Sequence, residues 1–315
     1  MAEHVDVDNF VRAETARMFA DLQRDAGGVN VLLHNREPAS VDRQTVVRLN
    51  RDTLYSMAVV DLVAGATLTL PDAGGRYVSA MVLDADHYVR SVLHDAGTYR
   101  LDARSEGSDH AVVAVRILVD PHDAADVRAV VGLQDAVRVE AGSARPYVGP
   151  QYDSASLDAT RDALLALAAG LHSFDRTFGS PDQVDPVRHL IGTAAGWGGL
   201  PADEAAYVGV DPRLPRGRYA LTLRDVPVDA FWSVSVYDAR GFFRPNDHGV
   251  YSVNSVTAVA DPDGGHTVRF APPDDLGDEP NTIPVPEGWN FLVRLYRPRA
   301  TVRNGSWVLP ELRPA

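Results

Sequence analysis

Residues 231–238, Phe-Trp-Ser-Val-Ser-Val-Tyr-Asp, constrain the fold more than any other stretch. In an extended chain Trp232, Val234 and Val236 fall on one side, and Phe231, Ser233, Ser235 and Tyr237 on the other. A period of two with bulky apolar groups on one side describes a strand with one face in a core. Residues 290–297 repeat the pattern, with Phe291, Val293 and Leu295 alternating with Arg294 and Tyr296. Shorter strands are expected at 219–223, 251–253 and 267–270, with Asp238–Gly241 as a turn. Together they predict a β region from 206 onward, and short strands at such spacing suggest a sandwich or barrel.

An earlier region, from about residue 46 to 140, reads the same way. Ala66–Leu70 alternates, Pro71–Gly75 is a turn, and strands follow at 76–83, 99–101 and 111–119. Between the β regions the period changes. Asp153 or Ser154 caps a helix in which Leu157, Leu164, Leu167, Ala168 and Leu171 share a face, and Asp185-Pro186 opens a second helix. Near the N-terminus a helix is expected over 5–26. Asp6 or Asp8 would cap it, Val11, Thr15, Met18 and Leu22 would form its buried face, and Gly27-Gly28 would stop it. The expected class is mainly β with a helical layer (α+β). Its division is an N-terminal helix at 1–30, a first β-sandwich at 31–150, a helical segment at 151–205 and a second sandwich at 206–315.

Leu49-Asn50-Arg51-Asp52-Thr53-Leu54-Tyr55-Ser56 fits neither a surface loop nor a core strand, because it mixes chemically active side chains with leucines and runs into Met57–Leu62. It reads as a polar cluster at the start of a buried strand. It reads equally as a knot in which Arg51 pairs with Asp52 and ties backbone together.

Composition narrows the partners. The formal net charge is −13, which argues against nucleic acid and against an anionic membrane surface. All 30 Lys-or-Arg positions are Arg, the side chain suited to forked recognition of carboxylates. With no cysteine, disulfides, thiolate nucleophiles and Cys-ligated metals are excluded. The N-terminus lacks the basic-then-apolar order of a secretory signal, and no apolar run is long enough to span a bilayer, so a soluble, cytoplasmic protein is expected. Gly-x-Ser-x-Gly, His-Glu-x-x-His and a phosphate-cradling Gly-rich loop are all missing, which leaves nucleotide cofactors and a conventional serine hydrolase without support.

Five ordered motifs carry a resemblance: Asn50–Ser56, Asp86-His87-Tyr88, Asp185–Gly192, Asp229-Ala230-Phe231-Trp232-Ser233 and Gly288–Tyr296. In this order they resemble the paired domain-of-unknown-function families DUF1254 and DUF1214. The first segment and its strands look like the former, and the stretch from about 206 onward looks like the latter. The resemblance implies an immunoglobulin-like sandwich, a helical segment and a jelly-roll-like sandwich. Ala230 departs from it, since Gly usually follows the Asp.

The residues then supply site candidates. Arg51, Asp52 and Tyr55, with Asn50 as a substrate contact, form the first set. Tyr55 beside Arg51 can serve as a proton or oxyanion donor. Asp86 and His87 supply an acid–base pair. Asp84, Asp86, His87 and His94 are the alternative ligands of a divalent metal, although their spacing matches no known metal motif. His189, in the first turns of its helix, is a neutral hydrogen-bond donor or a buried structural histidine. Among the aromatic and polar residues of the second sandwich, Trp232, Tyr237 and Arg294 are the preferred substrate contacts, against a core role for the aromatics.

The expected function is acid–base catalysis without an organic cofactor, as a hydrolase or lyase acting on a small carbonyl- or carboxylate-bearing molecule. The expected site is a pocket of a few hundred Å³ between the sandwiches, roofed near His189. A non-catalytic small-molecule or carbohydrate binder and a metal-dependent hydrolase are the alternatives, and a homo-oligomer is left open.

Overall fold

The structure, a computed structural model, describes residues 2–44, 47–171 and 173–315. The chain is α+β and divides into two compact units. The first comprises Met1–Arg36, Leu54–Val119 and Ala124–Ala202, and the second Glu37–Thr53, Asp120–Asp123 and Asp203–Ala315. The helices of the middle segment thus belong to the same unit as the first sandwich, and a strap from the earlier region belongs to the second.

In the first unit, helix α1 covers Phe10–Ala26 and ends at Gly27, whose φ of 81° is a left-handed conformation open to glycine. No side chain caps its start at Asn9. Its buried stripe is Phe10, Ala13, Ala16 and Phe19, together with the polar Glu14 and Thr15. Val11, Met18 and Leu22 are only partly covered. The stripe lies elsewhere than expected because distant partners bury the polar positions. Arg17 and Arg161 neutralise Glu14, and Trp197 donates its indole N–H to Thr15.

Strands β1 (Leu33–His34), β2 (Thr53–Asp61), β3 (Ala66–Leu70), β4 (Val78–Leu83), β5 (Val89–Leu93), β6 (Gly97–Leu101) and β7 (His110–Leu118) follow. Helix α2 (Ala124–Ala136) and strand β8 (Arg138–Ala141) complete this part. The expected start of the β region near residue 46 lies outside the described residues. One sheet has the order β1-β2-β7-β4-β5 and faces the antiparallel sheet β6-β3-β8. Between them lies a core that includes Leu54, Ala58, Val60, Leu68, Val82, Val113, Val115 and Ile117. The alternation along β2, β4 and β7 sends the intervening residues, among them Tyr55, Ser79 and Arg116, to the opposite face.

Helix α2 is a departure from the expected all-strand region. Its valines suggest strand, but Val127, Val130, Val131 and Gln134 recur at helical spacing and lie on the side that packs under the core. Gln134 is buried and donates to the carbonyls of Asn35 and Tyr55, which closes the end of the sandwich.

Helices α3 (Ser154–Ala168) and α4 (Pro186–Gly196) start as expected. Asp153 accepts from the Ser156 N–H, and Asp185 accepts from those of Val187 and Arg188. Their apolar faces meet α1 through Phe10, Ala13, Leu157, Leu164 and Ile191, whereas Leu167 is exposed.

The second unit contains β9 (Ala205–Val210), β10 (Tyr219–Leu223), β11 (Trp232–Tyr237), β12 (Ser252–Asn254), β13 (His266–Ala271), β14 (Thr282–Pro284), β15 (Asn290–Tyr296), the short helix α5 (Ala300–Arg303) and β16 (Arg313–Pro314). Two four-stranded sheets, β14-β13-β10-β16 and β12-β11-β15-β9, form a jelly-roll-like sandwich. In β11 and β15 the register sets Val234 opposite Val293 and Ser233 opposite Arg294. The apolar set Trp232, Val234, Val236, Phe291, Val293 and Leu295 fills the core with Phe270 and Trp289. The polar set faces away, as the period of two requires.

Candidate functional site

The polar face of β11 and β15 does not meet water. Within the second unit it receives the strap that carries Leu49–Asp52. Arg294, 2% exposed, donates to the Ser235 hydroxyl at 2.9 Å, the Tyr237 hydroxyl at 2.8 Å and the Arg48 carbonyl at 2.7 Å. Tyr237 in turn donates to the Leu49 carbonyl at 2.9 Å. Ser233 donates to one carboxylate oxygen of the buried Asp52 at 2.6 Å, and Asn50 donates to the Tyr296 hydroxyl at 3.0 Å. The other Asp52 oxygen is buried and has no hydrogen-bond partner among the described residues.

Charge follows this geometry. Burial pushes the Asp52 carboxyl up, against Arg294, Ser233 and Arg51. For Arg294, burial opposes the charge, but Tyr237, Tyr296 and Asp52 outweigh it and its pKa is raised. The arrangement fixes backbone: two consecutive carbonyls and two side chains of the strap are held by groups locked in a sheet. Asn50, Asp52, Tyr237 and Arg294 are therefore brought together. Trp232 is not among them, because it lies in the sandwich core.

Arg51 is turned elsewhere, between Asn50 and Asp52, which are joined by a turn in which the Asp52 N–H donates to the Asn50 side-chain oxygen. It is half-buried, donates to the Ala39 carbonyl, and places its guanidinium 5.3 Å from the centre of the Tyr251 ring. Among the described residues no carboxylate lies in ion-pair range of it, so Arg51 and Asp52 do not form the expected pair. Desolvation lowers its pKa, opposed by Tyr251 and Asp52. His122 lies close enough to feel that cation. Its own pKa is lowered by partial desolvation and by Arg51, against Asp120.

A second cluster lies in the first unit. The loop after β4 is organised by Asp84, whose carboxylate accepts from the N–H groups of Asp86 and Tyr88 and from Arg90 at 2.7 Å. This turn holds His87 at φ +62°, left-handed for a non-glycine residue. The His87 ring is 1% exposed. Its Nε2 accepts from the Gly198 N–H at 2.8 Å, which leaves the proton on Nδ1. Nδ1 lies 2.9 Å from the Thr193 hydroxyl, which itself donates to the His189 carbonyl. The ring is stacked between His189 and Trp197, with centroids 5.4 and 5.5 Å away. Burial, with a smaller effect from His189, lowers its pKa to about 3.

Both His87 nitrogens are committed. His189 uses its own Nε2 toward the Asp86 carbonyl and stacks on Tyr88, while the Asp86 carboxylate turns outward to Arg12. Gly198 links this cluster to another predicted residue. Its carbonyl accepts from the buried Arg116, whose guanidinium lies 5.2 Å from the Tyr55 ring centre. Tyr55, Asp86, His87 and His189 thus share one network through Arg116, Thr193 and Gly198. His94 stands apart, with Nδ1 donating to the Val78 carbonyl. The four alternative metal ligands do not converge, and no group of three or more His, Asp or Glu that could hold a metal ion occurs among the described residues.

Arg116 carried a signal in the sequence, since it is the one charge within the apolar run Ala111–Val119. Thr193, Gly198 and His122 carried none, because each acquires meaning only from a neighbour far along the chain.

Residues 29–141 match the family described as a protein of unknown function (DUF1254), and residues 212–300 match the one described as a protein of unknown function (DUF1214). Both matches fall in the order the motifs resemble. No curated protein matches the chain. The VPA0106 protein from Vibrio parahaemolyticus shares its fold, with a TM-score of 0.76 at 18% identity over 98% of this chain and 97% of that one. An uncharacterized protein from Burkholderia cenocepacia has a TM-score of 0.54 at 13% identity, over 97% of this chain and 85% of its own. No helix among the described residues is long and apolar enough to cross a membrane.

Proposed function

We propose that this chain, which pairs a DUF1254 segment with a DUF1214 segment, recognises a small organic molecule bearing a carboxylate or carbonyl group, with Arg51 as the fixed cation. The carrying observation is the state of Arg51. Its guanidinium is half-buried and has no carboxylate partner among the described residues, although the chain has an excess of 13 acidic charges. Partial burial of an unpaired charge is unfavourable unless something compensates it. The strap beneath it is fastened by buried Arg294, Tyr237 and Ser233, so the fork is held before a ligand arrives. Tyr251 covers one side of the guanidinium and the Ala39 carbonyl takes Nη1, while among the described residues Nε and Nη2 make no hydrogen bond and are left for a planar, two-oxygen group.

A second reading adds turnover by acid–base chemistry, of hydrolase or lyase type. His122 favours it: this exposed histidine has its pKa lowered by partial desolvation and by Arg51, against Asp120, and a neutral imidazole near that cation is suited to accept a proton. His87 is a weaker choice for that role, since neither of its nitrogens is available.

The test is a panel of small carboxylates, from acetate through succinate to benzoate, titrated calorimetrically against wild type, Arg51→Lys and Arg51→Met. Binding should weaken by about tenfold or more in Arg51→Lys, about 1.4 kcal/mol, and vanish in Arg51→Met while the fold persists. If no carboxylate binds, or if Arg51→Met lowers the melting temperature by several degrees and binds like wild type, the cation is a structural tie. Replacing His122 with Gln should abolish any turnover found and leave binding intact.

A further inference from the structure

The first unit has a cleft of about 450 Å³ that none of the preceding roles uses. Its lining includes Asp109, His110, Arg145, Pro146, Tyr147 and Val148, all on the N-terminal edge of β7 and on the segment after β8. The volume is that of a small-ligand site.

Its charges balance in a way that disfavours anions. Arg145 is already held by the buried Asp61 carboxylate, at 3.2 Å, and by Asp109 at 3.4 Å. Desolvation opposes the Asp61 charge, but the contacts with Arg145 outweigh it and hold the pKa far below the usual carboxylate range. One cation between two carboxylates leaves nothing to attract a further negative group.

The remaining hydrogen-bonding capacity is mixed. The Nε2–H of His110 donates to the Arg145 carbonyl at 2.8 Å, so in the neutral ring Nδ1 is an acceptor, and it has no partner among the described residues. Arg145 makes no contact through Nη1 among the described residues, which keeps two donors. One Asp109 oxygen stays open, and the Tyr147 hydroxyl is bonded to no described residue. The lining therefore offers both donors and acceptors. A hydroxyl is the neutral group that satisfies both at once, since it donates and accepts through one oxygen.

The walls agree. The His110 ring meets the Tyr147 ring edge-on at 5.5 Å, and Tyr147 is braced from behind by Phe19 at 5.1 Å. Val148 is 86% exposed beside Pro146, an apolar rim that no core demands. Rigid rings and an apolar rim next to mixed donors and acceptors suit a ligand with C–H faces and many hydroxyls. We infer that this cleft binds a neutral polyhydroxylated ligand, a sugar or sugar-like polyol.

Full-length protein would be probed by saturation-transfer NMR and calorimetry with glucose, galactose, mannose, N-acetylglucosamine and a set of disaccharides. Butylamine and spermidine form a parallel arm. At least one sugar should bind with a dissociation constant of millimolar order or better. Asp109→Ala, in an exposed side chain whose removal leaves the fold intact, should weaken binding by about tenfold, and Tyr147→Phe should also weaken it. Arg51→Met should bind the same sugar like wild type. The inference is overturned if no sugar binds, if amines bind in place of sugars, or if sugar binding is indifferent to both Asp109→Ala and Tyr147→Phe.

Discussion

Replacing His87 with Asn tests the buried histidine cluster, and its magnitude follows from the tautomer. In the folded chain Nε2 accepts from the Gly198 N–H and Nδ1–H faces the Thr193 hydroxyl. A second proton would set two N–H groups against each other inside an apolar stack, so the ring stays neutral down to about pH 3. In the unfolded chain it takes up its proton near pH 6.5. Between these values the unfolded state binds one more proton than the folded state, so stability falls as pH falls. The window opens at about 6.5 and closes at about 3. One pKa unit corresponds to about 1.4 kcal/mol, which gives a loss of about 2 kcal/mol by pH 5 and about 5 kcal/mol over the whole window.

Asn tolerates the left-handed backbone at this position and does not titrate. The assay is urea unfolding of both proteins from pH 7 to pH 5, followed by far-ultraviolet circular dichroism. That signal reports mainly the first unit, because α1, α2, α3 and α4 lie there. The His87→Asn variant loses the stack, so wild type is the more stable protein at pH 7. Its advantage should shrink by about 2 kcal/mol at pH 5. Parallel stability curves, with a difference constant to within about 0.5 kcal/mol, would refute the neutral-imidazole reasoning.

Arg294→Met should destabilise the second unit by about 3 kcal/mol or more, measured as a lower urea midpoint, because it removes the donor to the Arg48 carbonyl and the buried cation that offsets the Asp52 charge. Gln134→Leu keeps the volume but removes the donor to the Asn35 carbonyl, while the Tyr55 carbonyl keeps the Asn35 N–H, and should cost about 1–2 kcal/mol in the same assay. Gly198→Ala should cost only about 1–2 kcal/mol: its φ is +76° but a Cβ there would meet no atom within 4 Å, so a larger loss in melting temperature would point to a clash the structure does not contain.

The division between sequence and tertiary structure can be followed in single elements. Strands β11 and β15 were legible because a period of two leaves only one way to face a core, and the same period placed Tyr237 and Arg294 on the far side. Asp153 and Asp185 were legible because a helix start needs local acceptors for its own N–H groups. The motif order pointed to the DUF1254 and DUF1214 pair, and both families match the chain. Helix α2 was hidden by valines whose local preference for strands was overridden by the fit of its apolar side under the sandwich. The local reading of Leu49–Ser56 pointed to a polar cluster at the start of a buried strand. It could not tell that Arg294, more than two hundred residues later, would hold the carbonyls of Arg48 and Leu49. It also could not tell that Gly198 would occupy the one nitrogen of His87 able to accept a proton. Local periodicity decides which way a side chain points. Long-range packing alone decides what it meets, and with it whether an ionisable group is free for chemistry or locked into the fold.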